Sequence, residues 1–221
     1  LDSKANHERY FAGIPNVPKK KKESMAIYLL FLQHIMFSLN DKGKAAIVVP
    51  TGFITAQTGI EKKIREKMVK NKWLAGVVSM PGNIFAATTT NVSILFIDKD
   101  NKEEIILVDA SNLGTKVKVD DKNQKTLLSS EEEDKIINTF NNRIAIEDFS
   151  VVVSYDEIEA KNHSLSAGQY FEVKIKYEDI SPEEFNVRLD SAKKELNKLF
   201  EKSKELDSEI LNNITTLSYD L

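Results

Sequence analysis

Three short segments carry residue types that could do chemistry. Pro81-Gly82-Asn83-Ile84-Phe85, with Thr88-Thr89-Thr90 just after it, puts an amide and an aromatic on one loop. An aromatic ring can stack on a base turned out of a duplex, and an amide can hydrogen-bond to that base. A plain turn with Phe85 plugging the core explains the same residues, and taken alone they favour it. Pro50-Thr51-Gly52-Phe53 closes an apolar run. In an open α/β sheet that is the end of a strand where ligands bind, although a strand-to-helix turn with a packed Phe53 serves equally. Lys19, Lys20, Lys21 and Lys22 could meet DNA phosphates by charge alone. A solvated loop beside a helix start accounts for them as well, and the acidic overall balance leans that way.

Other chemistry lacks its residues. The eight glycines are scattered, with no GxGxxG, no P-loop and no acidic-glycine cluster after a strand. There is no GxSxG, no HExxH and no cysteine. The absence of cysteine excludes disulfides and thiolate metal sites and fits a reducing cytoplasm, the expected location. His7, His34 and His163 lie far apart, so no metal site is expected. His34 falls inside an apolar helix and is expected to be a hydrogen-bonded packing residue.

The elements that must position these segments alternate. Residues 1–22 look like a loop. A helix is expected over 23–39, apolar around most of its circumference and hence buried. Ala45-Ala46-Ile47-Val48-Val49 reads as a buried parallel strand. A helix follows over 58–70, capped by Thr58 with Glu61 three residues on, its core stripe Ile60, Ile64 and Met68. Strands are expected at 74–79, 92–97 and 105–108, the last near an edge. The 82–91 connection is too short for a helical crossover, so the strands it joins should be antiparallel. Residues 113–128 look like a mobile polar connection. Ser130 starts a helix with Glu131, Glu132 and Glu133 in its first turn, and Val151-Val152-Val153 is a further apolar stretch. This order implies a layered α/β sheet.

The chain has 221 residues, 41% hydrophobic and 29% charged, with net charge -3. That suits one sizeable core with an appendage, and any DNA contact needs a local basic patch. No stretch reaches membrane-spanning length, because Gln33, His34 and Ser38 break the most apolar run. No signal peptide is evident. The chain opens on Leu1 in an irregular stretch and is expected to be a piece of a longer protein.

The C-terminal segment has its own pattern. Ser181-Pro182-Glu183-Glu184 is a capping box with proline first in the helix. Phe185, Leu189, Ala192, Leu196, Leu199, Leu206, Ile210 and Leu217 then recur at spacings of four and three, with Ser203 and Asn213 filling two seam positions. The seam predicts a coiled coil with a partner or with a second copy. One long helix folded back on the domain is the other reading, and the persistence of the spacing favours a partner. The expected divisions are 1–112, the sheet domain, which a family resemblance would make the later half of a catalytic domain; 113–180, an α/β extension and linker; and 181–221, the partner helix.

Several stretches, in order, resemble the modification (M) subunit of type I restriction–modification systems, an adenine-N6 DNA methyltransferase family. They are Arg9-Tyr10-Phe11-Ala12-Gly13-Ile14-Pro15, residues 24–34, Gly43-Lys44-Ala45-Ala46-Ile47-Val48-Val49-Pro50-Thr51-Gly52-Phe53, Val78-Ser79-Met80-Pro81-Gly82-Asn83-Ile84-Phe85, Ser93-Ile94-Leu95-Phe96-Ile97-Asp98 and Val108-Asp109-Ala110-Ser111. The resemblance implies a partial Rossmann-like methyltransferase sheet with a long C-terminal helix. It implies S-adenosylmethionine as cofactor, double-stranded DNA as substrate, and the specificity (S) and restriction subunits as partners, with no membrane. The family's cofactor loop and its Asn-Pro-Pro-aromatic motif do not occur here, and Asn16-Val17-Pro18 has the wrong composition. No catalytic residue carries over and the chain alone is expected to be inactive. Asn83 and Phe85 would lie near the flipped-base pocket, by position only.

Two competing readings remain at this point. One is a non-catalytic interaction module docking a partner through its last helix. The other is a helicase-like or nucleotide-binding domain, against which the missing phosphate loop counts.

Overall fold

The computed structural model describes residues 4–17, 19–20, 25–85, 90–118, 124–172 and 180–215. The chain divides into two compact units, Leu1–Glu172 and Val173–Leu221.

The first unit is a five-stranded sheet in the order β1-β3-β2-β4-β7. Its strands are β1 (Lys44–Pro50), β2 (Leu74–Ser79), β3 (Val92–Asp98), β4 (Ile105–Asp109) and β7 (Ser150–Val153). β3 lies between β1 and β2 and is antiparallel to both, while β2 and β4 are parallel. Strands β1, β2 and β4 therefore all point the same way. Helices α1 (Tyr28–Ser38), α2 (Gly52–Thr55), α3 (Gly59–Asn71) and α5 (Tyr155–Ala160) build the larger core on one face. There Leu32, Met36, Phe53, Ile64 and Met68 meet Val49, Leu95, Val77 and Leu107. Helix α4 (Ser130–Asn141) covers β2 and β4 on the other face through Ile136 and Phe140. Gly76 makes that packing possible: a Cβ there would sit 2.5 Å from the Ile106 carbonyl oxygen and 2.7 Å from the Phe140 ring.

Several expectations need correcting. Helix α1 has one buried face, with Phe31 and Phe37 exposed. His34 is exposed too, its Nδ1 lying 3.4 Å from the Ser38 hydroxyl. The buried polar residue is its neighbour Gln33, whose Oε1 accepts from Ala12 N–H (2.9 Å) and whose Nε2 donates to the Gly13 (3.0 Å) and Leu29 (3.1 Å) carbonyls. Strand β1 is covered on one face only, leaving Val48 44% exposed, and its neighbour is antiparallel. Among the described residues β1 has a strand on one side alone. Strand β4 does lie near an edge, with β7 alone beyond it in the sheet. Thr58 takes the N-cap position of α3 without a side-chain cap bond. Residues 113–128 hold an antiparallel hairpin, β5 (Thr115–Lys118) and β6 (Gln124–Leu127), instead of an unstructured connection. Its polar alternation hides it, since among the eight described strand residues only Thr126 is buried.

The second unit is described over Ile180 and the helix α6 (Pro182–Thr215). Ser181 Oγ accepts from Glu184 N–H at 3.1 Å, as its capping pattern requires. At 34 residues α6 is on the order of 50 Å long. Among the described residues no helix is long and apolar enough to cross a membrane.

Candidate functional site

The common direction of β1, β2 and β4 brings their carboxyl ends, Pro50, Ser79 and Asp109, to one edge of the sheet, where β3 enters at Val92. The edge is tied together locally. Thr51 N–H donates to the Asn91 carbonyl (3.0 Å), Met80 N–H to Val92 (2.9 Å) and Ala110 N–H to Ser79 (2.9 Å). A row of hydroxyls crosses three strands: Thr51 Oγ1 lies 3.2 Å from Ser93 Oγ, which donates to Ser79 Oγ at 3.5 Å.

The two turns singled out in the sequence behave differently here. Phe53 is buried beneath the end of β1, edge-on to Tyr28 with ring centroids 6.4 Å apart. Burial, and after it the Glu61 carboxylate, pushes the Tyr28 phenol up to about 12. The Arg65 guanidinium is fully buried and donates to the carbonyls of Phe53 and Ala56, so α2 is held from beneath. In the other turn, Phe85 is 50% exposed and therefore does not plug the core. Asn83 has φ of 57°, a left-handed conformation that Asn adopts at low cost. The β5–β6 hairpin clamps this turn from outside. Thr126 N–H donates to the Asn83 carbonyl (2.9 Å) and the Thr126 hydroxyl to the Gly82 carbonyl (2.6 Å).

Between turn and hairpin lies a polar cavity of about 460 Å³. Asn83, Asn91, Ser111, Asn112, Lys116 and Thr126 line it, and among the described residues no carboxylate does. Sequence reasoning located Asn83 but missed the others. Ser111-Asn112 follows β4 at the same edge, which is the one signal available. Lys116 sits in a segment whose pairing was not legible.

Lys19 and Lys20 are exposed, while Lys21 and Lys22, like Thr88 and Thr89, lie outside the described residues. On α6, Phe185, Leu189, Leu196, Leu199, Leu206 and Ile210 are all exposed. At ~100° per residue they share a stripe about 140° wide with Phe200, Leu211 and Ile214, which the strict heptad reading omitted. Asn213 falls off that stripe and Ile214 falls at its centre. Leu217 lies outside the described residues.

The chain is similar to known proteins in sequence and in fold. The sequence profile of N-6 DNA Methylase matches residues 2–179. The methylase subunit of type I restriction enzyme MpnII from Mycoplasma pneumoniae is 29% identical over 194 residues, covering 87% of this chain and 33% of that one. The HindI methylase subunit from Haemophilus influenzae is 26% identical, covering 99% of this chain and 48% of its own length. The chain thus spans about a third to a half of these relatives. Among solved structures, a type I restriction-modification methyltransferase subunit from Streptococcus thermophilus superposes with a TM-score of 0.60 at 21% identity, over 73% of this chain and 36% of that one. A chain from a structure of type I R-M complex assembly gives 0.53 at 20% identity, over 89% and 43%. The chain belongs to the N-6 DNA methylase family.

Proposed function

We propose that this chain is part of a site-specific DNA methyltransferase that moves a methyl group from S-adenosylmethionine to adenine N6, within a type I restriction–modification complex. The observation that carries the proposal is the family match over residues 2–179, which falls on the sheet whose carboxyl edge presents Asn83 and Phe85. Adenine N6 is out of reach inside a duplex, so the base must be turned out. A half-exposed aromatic offers it a stacking surface worth ~1–3 kcal/mol. The adjacent Asn83 amide offers a hydrogen bond, and its backbone is fixed by Thr126. The match favours this reading over an interaction-only module.

The residues of this chain do not fit a nucleoside cofactor. Asp109, the acid at the end of β4, accepts from the Ser111 N–H of its own turn at 3.0 Å. The glycines with positive φ, Gly13, Gly59 and Gly114, do not follow a sheet strand into a helix. The cofactor and the methyl-transfer residues are therefore assigned to the rest of the full-length protein, and the sheet is taken to continue past β1 there. The domain divisions 1–112, 113–180 and 181–221 are retained as part of this proposal. The specificity subunit is taken as the occupant of the apolar stripe on α6, and the restriction subunit as a further member of the complex.

The test is methyl transfer by the full-length protein with its specificity subunit, using labelled S-adenosylmethionine and target duplex. Phe85→Ala should lower kcat/KM by about 10-fold or more and leave cofactor affinity unchanged. Residues 1–221 alone should bind no cofactor by calorimetry. Transfer to a base other than adenine, or tight cofactor binding by the isolated chain, would end the proposal.

A further inference from the structure

The eight residues of the two hairpin strands include Lys116, Lys118 and Lys125 and no acid, the nearest acids in sequence being Asp120 and Asp121 between the strands. Register sets Lys116 opposite Thr126 and Lys118 opposite Gln124. Since side chains alternate along a strand, these four share one face. Lys116 and Thr126 both line the cavity, so that face is turned toward the Gly82–Asn83 turn. Among the described residues, the side-chain amides of Asn83, Asn91 and Asn112 and the Lys116 ammonium have no protein hydrogen-bond partner. One ammonium and three free amides, with no carboxylate among the described lining residues, make a lining complementary to an anion.

Resting on the methyltransferase reading, we infer that this cavity holds a phosphodiester of the DNA strand beside the turned-out base. Lys116 supplies the charge, and Asn83, Asn91 and Asn112 supply donors. A base drawn to Phe85 brings its own two phosphates with it, and the cavity lies against the same turn. Thr126 makes the hairpin both clamp and wall. It fixes the Asn83 peptide while the opposite residue, Lys116, reaches the backbone. Phosphate capture and base positioning are thereby coupled through one two-strand unit. Contacts of this kind set register and affinity without reading sequence.

The test uses the full-length protein with its specificity subunit and fluorescent duplexes, with anisotropy read over a salt series. Lys116→Ala should weaken target and non-target duplexes alike, by roughly 3–10-fold, and lower the log–log salt slope by about one. Lys116→Arg should restore the slope. Asn112→Ala should weaken binding and leave the slope intact. Lys42→Ala, at the opposite end of β1, is the charge control and should change neither. If Lys116→Ala matches the Lys42→Ala control while the wild type still methylates DNA, the inference falls and the methyltransferase reading stands. If the wild type neither binds nor methylates DNA, both fall. Inorganic phosphate binding that depends on Lys116, with DNA binding unaffected, would overturn the inference in favour of a small-anion site.

Discussion

Arg65 Nε donates to the backbone carbonyl of His163 at 2.8 Å, across 98 residues of sequence. His163 is itself left-handed, with φ of 60°. The same guanidinium caps the carbonyls of Phe53 and Ala56, so one buried side chain joins the turn after β1 to the segment after α5. Burial lowers its pKa to about 10, which leaves it protonated at neutral pH.

Arg65→Met should therefore destabilise the first unit by about 3 kcal/mol, because three carbonyls lose their donor together. Arg65→Lys should recover part of that. Urea denaturation measures both, and a change below ~0.5 kcal/mol for the methionine variant would show the carbonyls satisfied by other means.

Gln33 joins the Ala12–Gly13 segment to α1 with two bonds, and a third holds its amide to the Leu29 carbonyl of its own helix. Gln33→Leu removes the acceptor of Ala12 N–H and should cost about 2 kcal/mol. Hydrogen exchange at Ala12 should rise in parallel, and an unchanged Ala12 rate would contradict the assignment.

Gly76 has no room for a methyl group against Ile106 and Phe140. Gly76→Ala should cost about 2 kcal/mol by overpacking. Combining it with Phe140→Leu should recover part of that loss, and strict additivity of the two would show that they do not share the space.

Two capping boxes predict an acid-side loss of stability. Backbone N–H groups of Ser129 and then Gly114 hold the Glu132 carboxyl below its ordinary range, and the Ser154 backbone and then its hydroxyl do the same for Glu157. Because the folded values lie below the unfolded ones, the unfolded chain takes up these protons first. The contribution is complete above the ordinary glutamate range and is lost as pH falls through the lowered folded values. The Tm of the wild type should drop more steeply between about pH 5 and pH 3 than that of the Glu132→Gln/Glu157→Gln double variant. Parallel curves would refute it.

For α6, Leu199→Lys with Leu206→Lys places two charges on the apolar stripe. Co-purification with the specificity subunit should be lost while the melting of the first unit is unchanged. Retained capture would show that the stripe is not the contact.

How much of this was legible depended on whether burial left a phase in the sequence. Helix α3 shows Ile64 and Met68 on one stripe, and the short 82–91 connection dictated the β2–β3 pairing. Helix α1 is apolar all round, so nothing marked Phe31, His34 and Phe37 as its outer face. Histidine was read as buried where glutamine is. The hairpin was invisible for the opposite reason: Thr-Lys-Val-Lys and Gln-Lys-Thr-Leu bury almost nothing, so alternation had no contrast to show. With the hairpin went most of the cavity. Asn83 was found because Pro-Gly-Asn spells a turn whatever surrounds it. The exposure of Phe85 is a tertiary fact, fixed by what packs around the turn.

Strand β1 carries a final consequence. Among the described residues no strand pairs with its outer side, a rail along which alternate residues turn their backbone groups outward, and Val48 is exposed. Such a rail is an adhesive margin, ready to recruit any extended segment that meets it. Handling of the isolated chain should therefore be governed by self-association through this margin, and a charge at Val48 is the single change best suited to keep copies apart.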